Sequence, residues 1–401
     1  MSWIESTHLD CDPCMVRSRH SMLAETKPAE KIVDNPRSGD SVVLLDGGAR
    51  AFPRMLDAIG DARRSIHLEV YSFASDSTGH RFVGALIGAA RRGVQVRVVI
   101  DGWGSLRSGR AIAAQLRNGG CQVSLFNPLR SLLVGRLRRN HRKLLLVDDA
   151  VAYVGGINIG DEYAGGDRPG WADLALEVRG PAVGRLRDSL LGLKRPHGPA
   201  GAVRIFLSGL GGGRKLLKRY LRAFRAATDH ALIAHAYFLP NRRVVRSLRS
   251  AARRGVRVVL LLAGQSDVPF AHAATMRLYR KFLEVGVEVY EWNRSVFHAK
   301  AAAVDGQIFL VGSFNLDPLS LANLEALVEV RDPPTVSEGE RWIESRIAQA
   351  VRVDSNFCAQ PLLKRMITNL IGLFAARVAE WIGRLLSKDG RPRRSHRMRW
   401  R

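Results

Sequence analysis

One pattern of residues occurs twice in this chain of 401 residues, with the same internal spacing each time. Each copy has a His, a Lys two positions later, an apolar run that ends at an Asp, and then a pair of small residues followed by an Asn. Chance rarely repeats so long a spacing, so we predict two similar halves that each contribute one copy. The copies are His141, Lys143, Asp148, Gly155, Gly156 and Asn158, and His298, Lys300, Asp305, Gly312, Ser313 and Asn315.

The apolar run inside each copy predicts a buried β-strand. Side chains two residues apart on a strand point to the same face, so His141 and Lys143 are expected to point together, as are His298 and Lys300. A single His-x-Lys pair is more simply explained as a solvated strand edge. The second copy, with its matching small residues and Asn, weakens that explanation because the surrounding residues now support both motifs.

The surroundings of the motif are duplicated as well, over roughly residues 41–335. In the first half, a strand-like stretch at 66–73, a helix-like stretch at 79–92 and an apolar strand at 94–100 form a β-α-β unit. Such a unit normally builds a parallel sheet. We therefore predict an α/β fold in which each half is a mixed, mostly parallel sheet flanked by helices. The two halves are expected to meet at one pseudo-two-fold active site.

A third matching piece follows each motif. Residues 171–179 correspond to residues 323–331, and this correspondence pairs Asp173 with Glu325. A carboxylate at the start of an apolar strand can simply be a solvated strand end. The alternative, which we predict, is that each of these two carboxylates orients the imidazole of one half.

Composition divides the chain into four segments. Residues 1–39 mix charges, Pro and Ser without apolar periodicity, which indicates a poorly ordered extension. A cluster of Pro and Gly near 194–202 separates the first half, 40–195, from the second half, 202–352. Residues 356–401 combine an amphipathic helix with a cationic tail. A helix packed on the core, followed by a solvated tail, is the simpler alternative for this last segment.

The chain carries 62 Lys and Arg residues against 37 Asp and Glu, a net charge of +25. This excess favours a polyanionic partner, either an anionic phospholipid membrane or nucleic acid, and charge alone does not choose between them. The Arg-rich apolar segment at 129–139 fits a rim for lipid access or a nucleic-acid contact equally well. The sequence shows no sign of a transmembrane anchor or a secretory signal. Nothing in it indicates an oligomeric state.

The four cysteines do not suggest a disulfide framework in a chain of this size, which is compatible with a reducing compartment. Cys11 and Cys14 form a lone Cys-x-x-Cys, with no second pair at zinc spacing. A metal or redox role for these two residues is therefore not favoured.

The residue types of the two copies suit displacement at a phosphodiester. This chemistry needs an attacking group, an acid on the opposite side for the leaving oxygen, and positive charge at the equatorial oxygens. If the halves face each other, His141 and His298 lie on opposite sides of one phosphorus atom. Lys143 and Lys300 are then expected to hold its non-bridging oxygens.

Asn158 and Asn315 are predicted to bind the substrate by donating hydrogen bonds to the same oxygens. Each follows a pair of small residues that lets the backbone approach closely. Because these donors and the two lysines supply positive charge, we expect no metal and no cofactor. The sequence has no cluster of Asp, Glu and His at two-metal spacing that competes for this role.

The duplicated pattern resembles the signature of the phospholipase D superfamily, His-x-Lys-x4-Asp-x6-Gly-Gly/Ser-x-Asn, and both copies fit it without a gap. The resemblance implies a covalent route in which His141 becomes a phosphohistidine and His298 acts as the acid. Asp148 and Asp305 complete the predicted catalytic set. The resemblance implies that these two carboxylates chiefly hold the motif backbone and the neighbouring half.

Several local strings are similar to bacterial cardiolipin synthases, in particular to the shorter branch without two N-terminal membrane spans; among them are residues 52–59, 68–71 and 237–240. The similarity implies a phosphatidyltransferase that makes cardiolipin from phosphatidylglycerol and a second phospholipid, peripheral on the cytoplasmic face of the bacterial cell membrane. One alternative is a phospholipase D-type hydrolase, or a phosphodiesterase or nuclease of the same fold. Another is a basic binding protein with a dead site, which the intact motifs disfavour.

Overall fold

The structure is a computed structural model that describes residues 33–34, 39–128, 138–166, 169–193, 201–209, 212–266, 269–354 and 377. The predicted N-terminal extension, the segment before the first motif, the linker and the C-terminal helix and tail therefore lie largely outside the described residues. Those predictions remain predictions.

The first half alternates strands and helices and forms a single sheet. Its described elements, in chain order, are β1 (Val33–Asp34), β2 (Ser41–Asp46), α1 (Gly47–Asp61), β3 (Ser65–Val70), α2 (Ser77–Arg91), β4 (Gln95–Asp101), α3 (Gly109–Asn118), β5 (Gln122–Phe126), β6 (Leu144–Val147), β7 (Val151–Gly155), α4 (Asp161–Ala164), β8 (Leu174–Arg179) and α5 (Pro181–Leu191). The strand order in this sheet is β1-β2-β8-β7-β6-β3-β4-β5.

The second half repeats this arrangement. Its described elements are β9 (Val203–Leu207), α6 (Gly213–Ala226), β10 (His230–His235), α7 (Arg242–Arg253), β11 (Arg257–Ala263), α8 (Pro269–Leu283), β12 (Glu288–Trp292), β13 (Lys300–Val304), β14 (Ile308–Gly312), β15 (Ala326–Val330), α9 (Pro333–Ile347) and β16 (Val351–Arg352). The strand order in this sheet is β16-β12-β11-β10-β13-β14-β15-β9. The prediction of an α/β fold built from two similar halves is confirmed.

Parallel pairing is confined to β3-β4-β5 in the first sheet and to β10-β11-β12 in the second. The other pairings between described strands are antiparallel. The sheets are therefore mixed, as predicted, but the prediction that they are mostly parallel is wrong. Two strands joined by a helix run parallel to each other. Each motif strand, by contrast, is joined to the next strand by a tight turn, and strands joined in this way pair antiparallel.

The two sheets face each other across a shared apolar core that includes residues of α5 and α9. The outer face of each sheet packs against helices of its own half. Leu144 and Leu146 of β6 point into the shared core, whereas Leu145 and Val147 point toward the outer helices. Because successive side chains of β6 enter two different apolar layers, the run between the motif Lys and Asp has to be apolar throughout.

The motif Asp residues begin the turn that follows each motif strand. Asp148 and Asp149 have φ angles of 52° and 58°, and Asp305 and Gly306 have φ angles of 54° and 62°. Two successive residues with positive φ form a type I′ hairpin turn, which Asp, Asn and Gly adopt at the lowest energy. The turn residues thus account for the antiparallel pairing of β6 with β7 and of β13 with β14.

The same Asp side chains accept hydrogen bonds from backbone N–H groups at the start of a neighbouring strand and just before it. Asp148 accepts bonds of 2.7–2.8 Å from residues 63–65, and Asp305 accepts bonds of 2.8–3.0 Å from residues 228–230. These bonds stay within one half, so the expectation that the two carboxylates hold the neighbouring half is wrong. Each Asp follows its motif strand whereas the His precedes it, so the Asp lies at the opposite end of the strand.

Asp148→Ala is expected to lower the free energy of unfolding by about 2 kcal/mol, because three amide donors lose their acceptor and a residue with positive φ becomes less tolerated. The turnover per folded molecule should stay close to that of the wild type. Urea unfolding and kcat measurements check the two statements. Asp149→Ala is the control, since it shares the positive φ but lacks these amide bonds. A large loss of kcat in folded Asp148→Ala protein would restore a catalytic role.

Candidate active site

Backbone hydrogen bonds join the two halves where the motifs begin. The N–H of His141 donates to the carbonyl of Leu324 at 2.9 Å, and the N–H of His298 donates to the carbonyl of Ala172 at 2.8 Å. Two isolated β-bridges accompany these bonds. The contacts are reciprocal, as a pseudo-two-fold relation requires, and they bring both motif histidines to the interface between the sheets.

Each imidazole is held by a carboxylate of the other half. Nδ1 of His141 lies 3.1 and 3.2 Å from the two carboxylate oxygens of Glu325. Nδ1 of His298 lies 2.7 Å from Oδ2 of Asp173. A carboxylate accepts, so Nδ1 of each ring carries the proton and Nε2 is left for chemistry. This geometry is the one that an orienting role for Asp173 and Glu325 needs.

The small residues after each motif strand make room for these carboxylates. A Cβ atom at Gly156 would lie 2.2 Å from Oδ1 of Asp173. At the matching position, the hydroxyl of Ser313 donates to Oε2 of Glu325 at 2.5 Å. The choice between Gly and Ser is therefore linked to the carboxylate beside it. The shorter Asp brings its carboxylate against the backbone, whereas the longer Glu leaves space for a hydroxyl.

Both motif lysines are buried beside the imidazoles. Each donates from Nζ to the backbone carbonyl of its own motif histidine, at 2.8 Å in the case of Lys143. Nζ of Lys143 lies 5.0 Å from the ring centroid of Tyr71, and Nζ of Lys300 lies 5.6 Å from that of Tyr237. These contacts are cation–π interactions, which stabilise buried ammonium groups.

The burial of the two lysines favours the binding of a negatively charged group near them. Burial holds the pKa of Lys143 well below its ordinary value. The charge of Glu325 opposes this shift, and the charge of Lys300 adds to it. An anion placed between the two ammonium groups relieves both the desolvation and the repulsion. The site is thus suited electrostatically to a phosphate group.

The two imidazoles lie in different environments. Burial lowers the pKa of His141, the charge of Glu325 opposes this shift, and the charge of Lys143 adds to it. A lowered pKa favours the neutral ring, which is the nucleophilic form. On the other side, burial raises the pKa of Asp173 to about 7, against the charge of Lys300.

Asn158 and Asn315 occupy matching positions but differ in their hydrogen bonds. Oδ1 of Asn158 accepts from the N–H of Ser72 at 3.1 Å, and its Nδ2 donates to the hydroxyl of Tyr163 at 2.8 Å. Oδ1 of Asn315 is buried and has no hydrogen-bond partner in the part of the chain that the structure describes. Because Oδ1 is an acceptor, this free position suits a hydroxyl or N–H donor, and only Nδ2 of Asn315 can donate to a phosphate oxygen.

The sequence motifs did not predict the aromatic side chains that surround the imidazoles. The rings of Tyr163, Trp171 and Tyr237 lie 5.6, 5.7 and 5.9 Å from the ring of His298. The ring of Tyr71 lies 4.8 Å from the other imidazole. Tyr71 and Tyr237 follow the equivalent strands β3 and β10, so the duplication itself contained the signal. These rings exclude water, which strengthens every electrostatic interaction inside the site.

A buried network beside the first motif histidine was also missed. Glu69 accepts hydrogen bonds from Nδ2 of Asn140 at 2.8 Å and from Arg142 at 3.3 Å. Arg142 reaches the second half by donating to the carbonyl of Ser208 at 2.7 Å. Burial would raise the pKa of Glu69, but Arg142 and His67 lower it to about 2. The residues on both sides of the histidine are thus anchored by one carboxylate that stays ionised.

No group of three or more His, Cys, Asp and Glu residues within the described ranges could hold a metal ion. Cys121 is a free, buried thiol, whereas Cys11 and Cys14 lie outside the described residues. No helix in the described part of the chain combines the length and the apolarity that crossing a membrane requires.

The site geometry can be compared with known proteins. A protein-family model described as "Cardiolipin synthase, PLD-like domain" matches residues 55–167 and 220–347, which contain both motifs. The chain belongs to this family. The resemblance to the phospholipase D superfamily is therefore confirmed, and so is the similarity to cardiolipin synthases.

Curated relatives agree with this assignment. The chain is 35% identical over 320 residues to cardiolipin synthase B of Salmonella typhi, covering 74% of this chain and 78% of the relative. It is 30% identical over 363 residues to cardiolipin synthase 1 of Bacillus anthracis, covering 83% and 71%. Among solved structures, phosphatidylserine synthase of Haemophilus influenzae Rd KW20 has a TM-score of 0.68 at 14% identity, covering 86% of this chain and 95% of that one. At this identity the likeness concerns the fold alone.

Asp173→Asn is expected to lower kcat by about 10²–10⁴-fold, because an amide cannot stabilise an imidazolium as a carboxylate does. The pH dependence of the free energy of unfolding should also change. A carboxyl group with a raised pKa binds a proton in the folded state that the unfolded chain releases, so stability falls as pH rises from 3.8 to about 7. The variant has no carboxyl group to titrate at this position, so its free energy of unfolding should fall less between pH 5 and pH 8 than that of the parent.

Glu177→Gln, four residues further along the chain and within β8, is the matched control. The buried carboxylate of Glu177 pairs with Arg54 at 2.7 Å and with Arg179 at 2.9 Å. Its loss should destabilise the fold and leave kcat largely unchanged. Urea unfolding at pH 5 and pH 8, with kcat measured on the same samples, separates the two variants. An Asp173→Asn protein that loses stability but keeps its turnover would contradict the orienting role.

Gly156→Ala should reduce kcat by about ten- to a hundredfold, because the added methyl group displaces the carboxylate of Asp173 and with it the imidazole of His298. The control is Gly84→Ala on the exposed face of α2, where an added Cβ meets no atom within 4 Å. That variant should keep its activity and gain about 0.5–1 kcal/mol of stability. Equal activity in steady-state assays of both variants would contradict the close approach.

Proposed function

We propose that this phospholipase D-type phosphatidyltransferase makes cardiolipin from phosphatidylglycerol and a second phospholipid by way of a phosphohistidine at His141. The observation that carries the proposal is the pair of imidazoles, His141 and His298, each bonded at Nδ1 to a carboxylate of the opposite half. Two Nε2 atoms are thereby available to one site, as attack and protonation on opposite sides of a phosphorus atom require. The names of the curated relatives support cardiolipin as the product.

In the first step, Nε2 of neutral His141 attacks the phosphorus atom of the donor lipid. The N–P bond forms, the P–O bond to the departing head-group alcohol breaks, and Nε2 of protonated His298 gives its proton to that oxygen. The lowered pKa of His141 supports its assignment as the nucleophile. Glu325 stabilises the positive charge that the phosphorylated ring acquires at its Nδ1–H.

In the second step, the chemistry runs in reverse with another alcohol. Neutral His298 accepts the proton of a glycerol hydroxyl of phosphatidylglycerol while the hydroxyl oxygen attacks the phosphorus atom. The N–P bond breaks, and His141 leaves as the neutral ring with its proton still on Nδ1. Both histidines thus return to their starting states, and no proton is gained or lost over the cycle.

The remaining polar residues bind the phosphate oxygens in this proposal. Lys143 and Lys300 neutralise the non-bridging oxygens, and Nδ2 of Asn315 donates to one of them. Asn158, already bonded to the hydroxyl of Tyr163, positions its side of the site. The surrounding aromatic rings favour transfer to a lipid alcohol over hydrolysis, because they exclude water.

Both substrates are membrane lipids, so we also propose that the enzyme works as a peripheral protein on the cytoplasmic face of the bacterial cell membrane. The net charge of +25 supports binding to an anionic phospholipid surface. Nucleic acid remains the other polyanion that this charge suits. Release of cardiolipin and glycerol from labelled phosphatidylglycerol distinguishes transfer from hydrolysis, which would release phosphatidic acid instead.

A donor lipid with a good leaving group, such as phosphatidyl-p-nitrophenol, isolates the first step because its departure needs no acid. We expect His298→Ala to release one equivalent of nitrophenol rapidly and to retain labelled phosphate on the protein after a detergent quench at neutral pH. His141→Ala should show neither signal. With phosphatidylglycerol itself, both variants should lose turnover by about 10³-fold or more. Label on His141→Ala but not on His298→Ala would exchange the two roles.

A further inference from the structure

Two neighbouring helices of the second half carry a cationic surface that catalysis does not use. Helix α6 has six Lys and Arg residues and α7 has five, and neither helix contains Asp or Glu. We define the α6–α7 surface by the exposed members of this set. They are Arg214, Lys215, Lys218, Arg222 and Arg225 on α6 and Arg242, Arg243, Arg246 and Arg253 on α7.

Part of the α6–α7 surface lines a groove between the helices. This groove has a volume of about 450 Å³ and is lined by Lys218, Leu221, Arg222, Arg225 and Arg243. It shares two of its arginines with an adjoining groove of about 480 Å³, and no carboxylate lines either groove. None of the groove cations forms an ion pair within the described ranges, so their charge is not neutralised inside the protein.

The fold does not require this charge, as the duplication shows. Helices α1 and α2 occupy the equivalent places on the first sheet, directly before β3 and between β3 and β4. Helix α1 carries two Arg and two Asp residues, and α2 carries two Arg residues. All four helices bury an apolar face against their sheet, yet only α6 and α7 concentrate cations on the exposed face. Clustered like charges repel one another, so they indicate an external partner.

The α6–α7 surface begins at the edge of the active site. Gly213, the first residue of α6, lies against the carbonyl of Ser320, and Oγ of Ser320 accepts a hydrogen bond from the N–H of Asn315 at 3.1 Å. Helix α7 follows the end of β10, where His235 pairs with the catalytic Lys300. Both helices therefore begin near the site and extend away from it.

We propose that the α6–α7 surface docks on anionic phospholipid head groups and so sets the edge of the active site against the bilayer. The inference rests on the proposed function, which takes its substrates from a membrane. A bilayer surface presents many head-group phosphates in one plane, and the guanidinium of an arginine can donate to two oxygens of one phosphate at once. Clusters of Lys and Arg on an amphipathic helix are typical of binding to anionic lipids. Single-stranded nucleic acid favours exposed aromatic rings for stacking, whereas Tyr220 and Phe224 of α6 are buried.

The test compares two variants that remove the same charge. The first replaces four cations of the α6–α7 surface with Gln: Lys218, Arg222, Arg243 and Arg246. The control replaces four exposed arginines of the first half with Gln: Arg63, Arg81, Arg91 and Arg110. Cosedimentation with vesicles of phosphatidylglycerol and phosphatidylcholine is measured on full-length proteins that also carry His141→Ala, so that the lipid is not consumed. Vesicles of phosphatidylcholine alone give the background.

We expect the first variant to bind the anionic vesicles about tenfold or more weakly than its parent and to show a smaller loss of binding as salt rises. The control should change by less than about threefold. With His141 intact, the first variant should keep its kcat on phosphatidylglycerol in detergent micelles and show a raised KM on vesicles. Equal losses in both variants would mean that only total charge matters, and unchanged binding in the first would remove the docking role.

Two further measurements keep the outcomes distinct. A charge-preserving variant, with Lys218→Arg and with Lys at the three arginine positions, should bind vesicles as the parent does and unfold at the same temperature. If it is folded but binds no better than the Gln variant, the proposal is overturned. A Gln variant that keeps vesicle binding but loses affinity for a single-stranded oligonucleotide would assign the surface to nucleic acid. Absence of cardiolipin from wild-type reactions in micelles would contradict the proposed function without affecting vesicle binding.

Discussion

The crossed bonds between the imidazole of one half and the carboxylate of the other are the interaction on which the rest of the site depends. Glu325 holds His141, and Asp173 holds His298. Neither half orients its own histidine, so a single half would present an imidazole without its carboxylate. The backbone bonds from the two histidines to Leu324 and Ala172 follow the same reciprocal pattern. The packing of the two sheets on their shared core therefore determines where the two imidazoles lie, as well as contributing to stability.

Burial of this charged cluster has both an energetic consequence and a functional one. Lys143, Lys300, Asp173 and Glu325 are almost fully removed from water, and such groups are stable only when they are paired or hydrogen-bonded. The tyrosines beside the lysines and the carboxylates beside the histidines provide these partners. An imbalance of charge remains, seen in the lowered pKa of Lys143. A bound anion offsets this imbalance, so the site is suited electrostatically to a phosphate group.

The two halves carry matching residues at their shared site and differ elsewhere. The small residue that packs against the carboxylate differs between the halves. It is Gly156 beside Asp173 in the first half and Ser313 beside Glu325 in the second. The carboxylates that hold the two imidazoles therefore lie in different surroundings. On the outside, α6 and α7 carry eleven Lys and Arg residues and no Asp or Glu, whereas α1 and α2 together carry four Arg and two Asp residues. A duplicated fold thus allows the outer surface of one half to differ from that of the other while the interface between the halves keeps matching residues.

The repeated motif was sufficient to predict two halves, an α/β fold and the residues that meet between them, because identical spacing on buried strands leaves few ways to place the side chains. It also identified Asp173 and Glu325 as a matched pair. Local patterns did not determine strand direction. The prediction of a mostly parallel sheet was wrong because the turns at Asp148 and Asp305 pair each motif strand antiparallel with the next strand. Only the tertiary structure decided that each carboxylate serves the histidine of the opposite half and that Glu69 anchors the first motif. Those contacts join residues that lie far apart in the chain. The periodicity of side chains predicts only which residues of one helix or strand share a face, so it cannot predict such contacts.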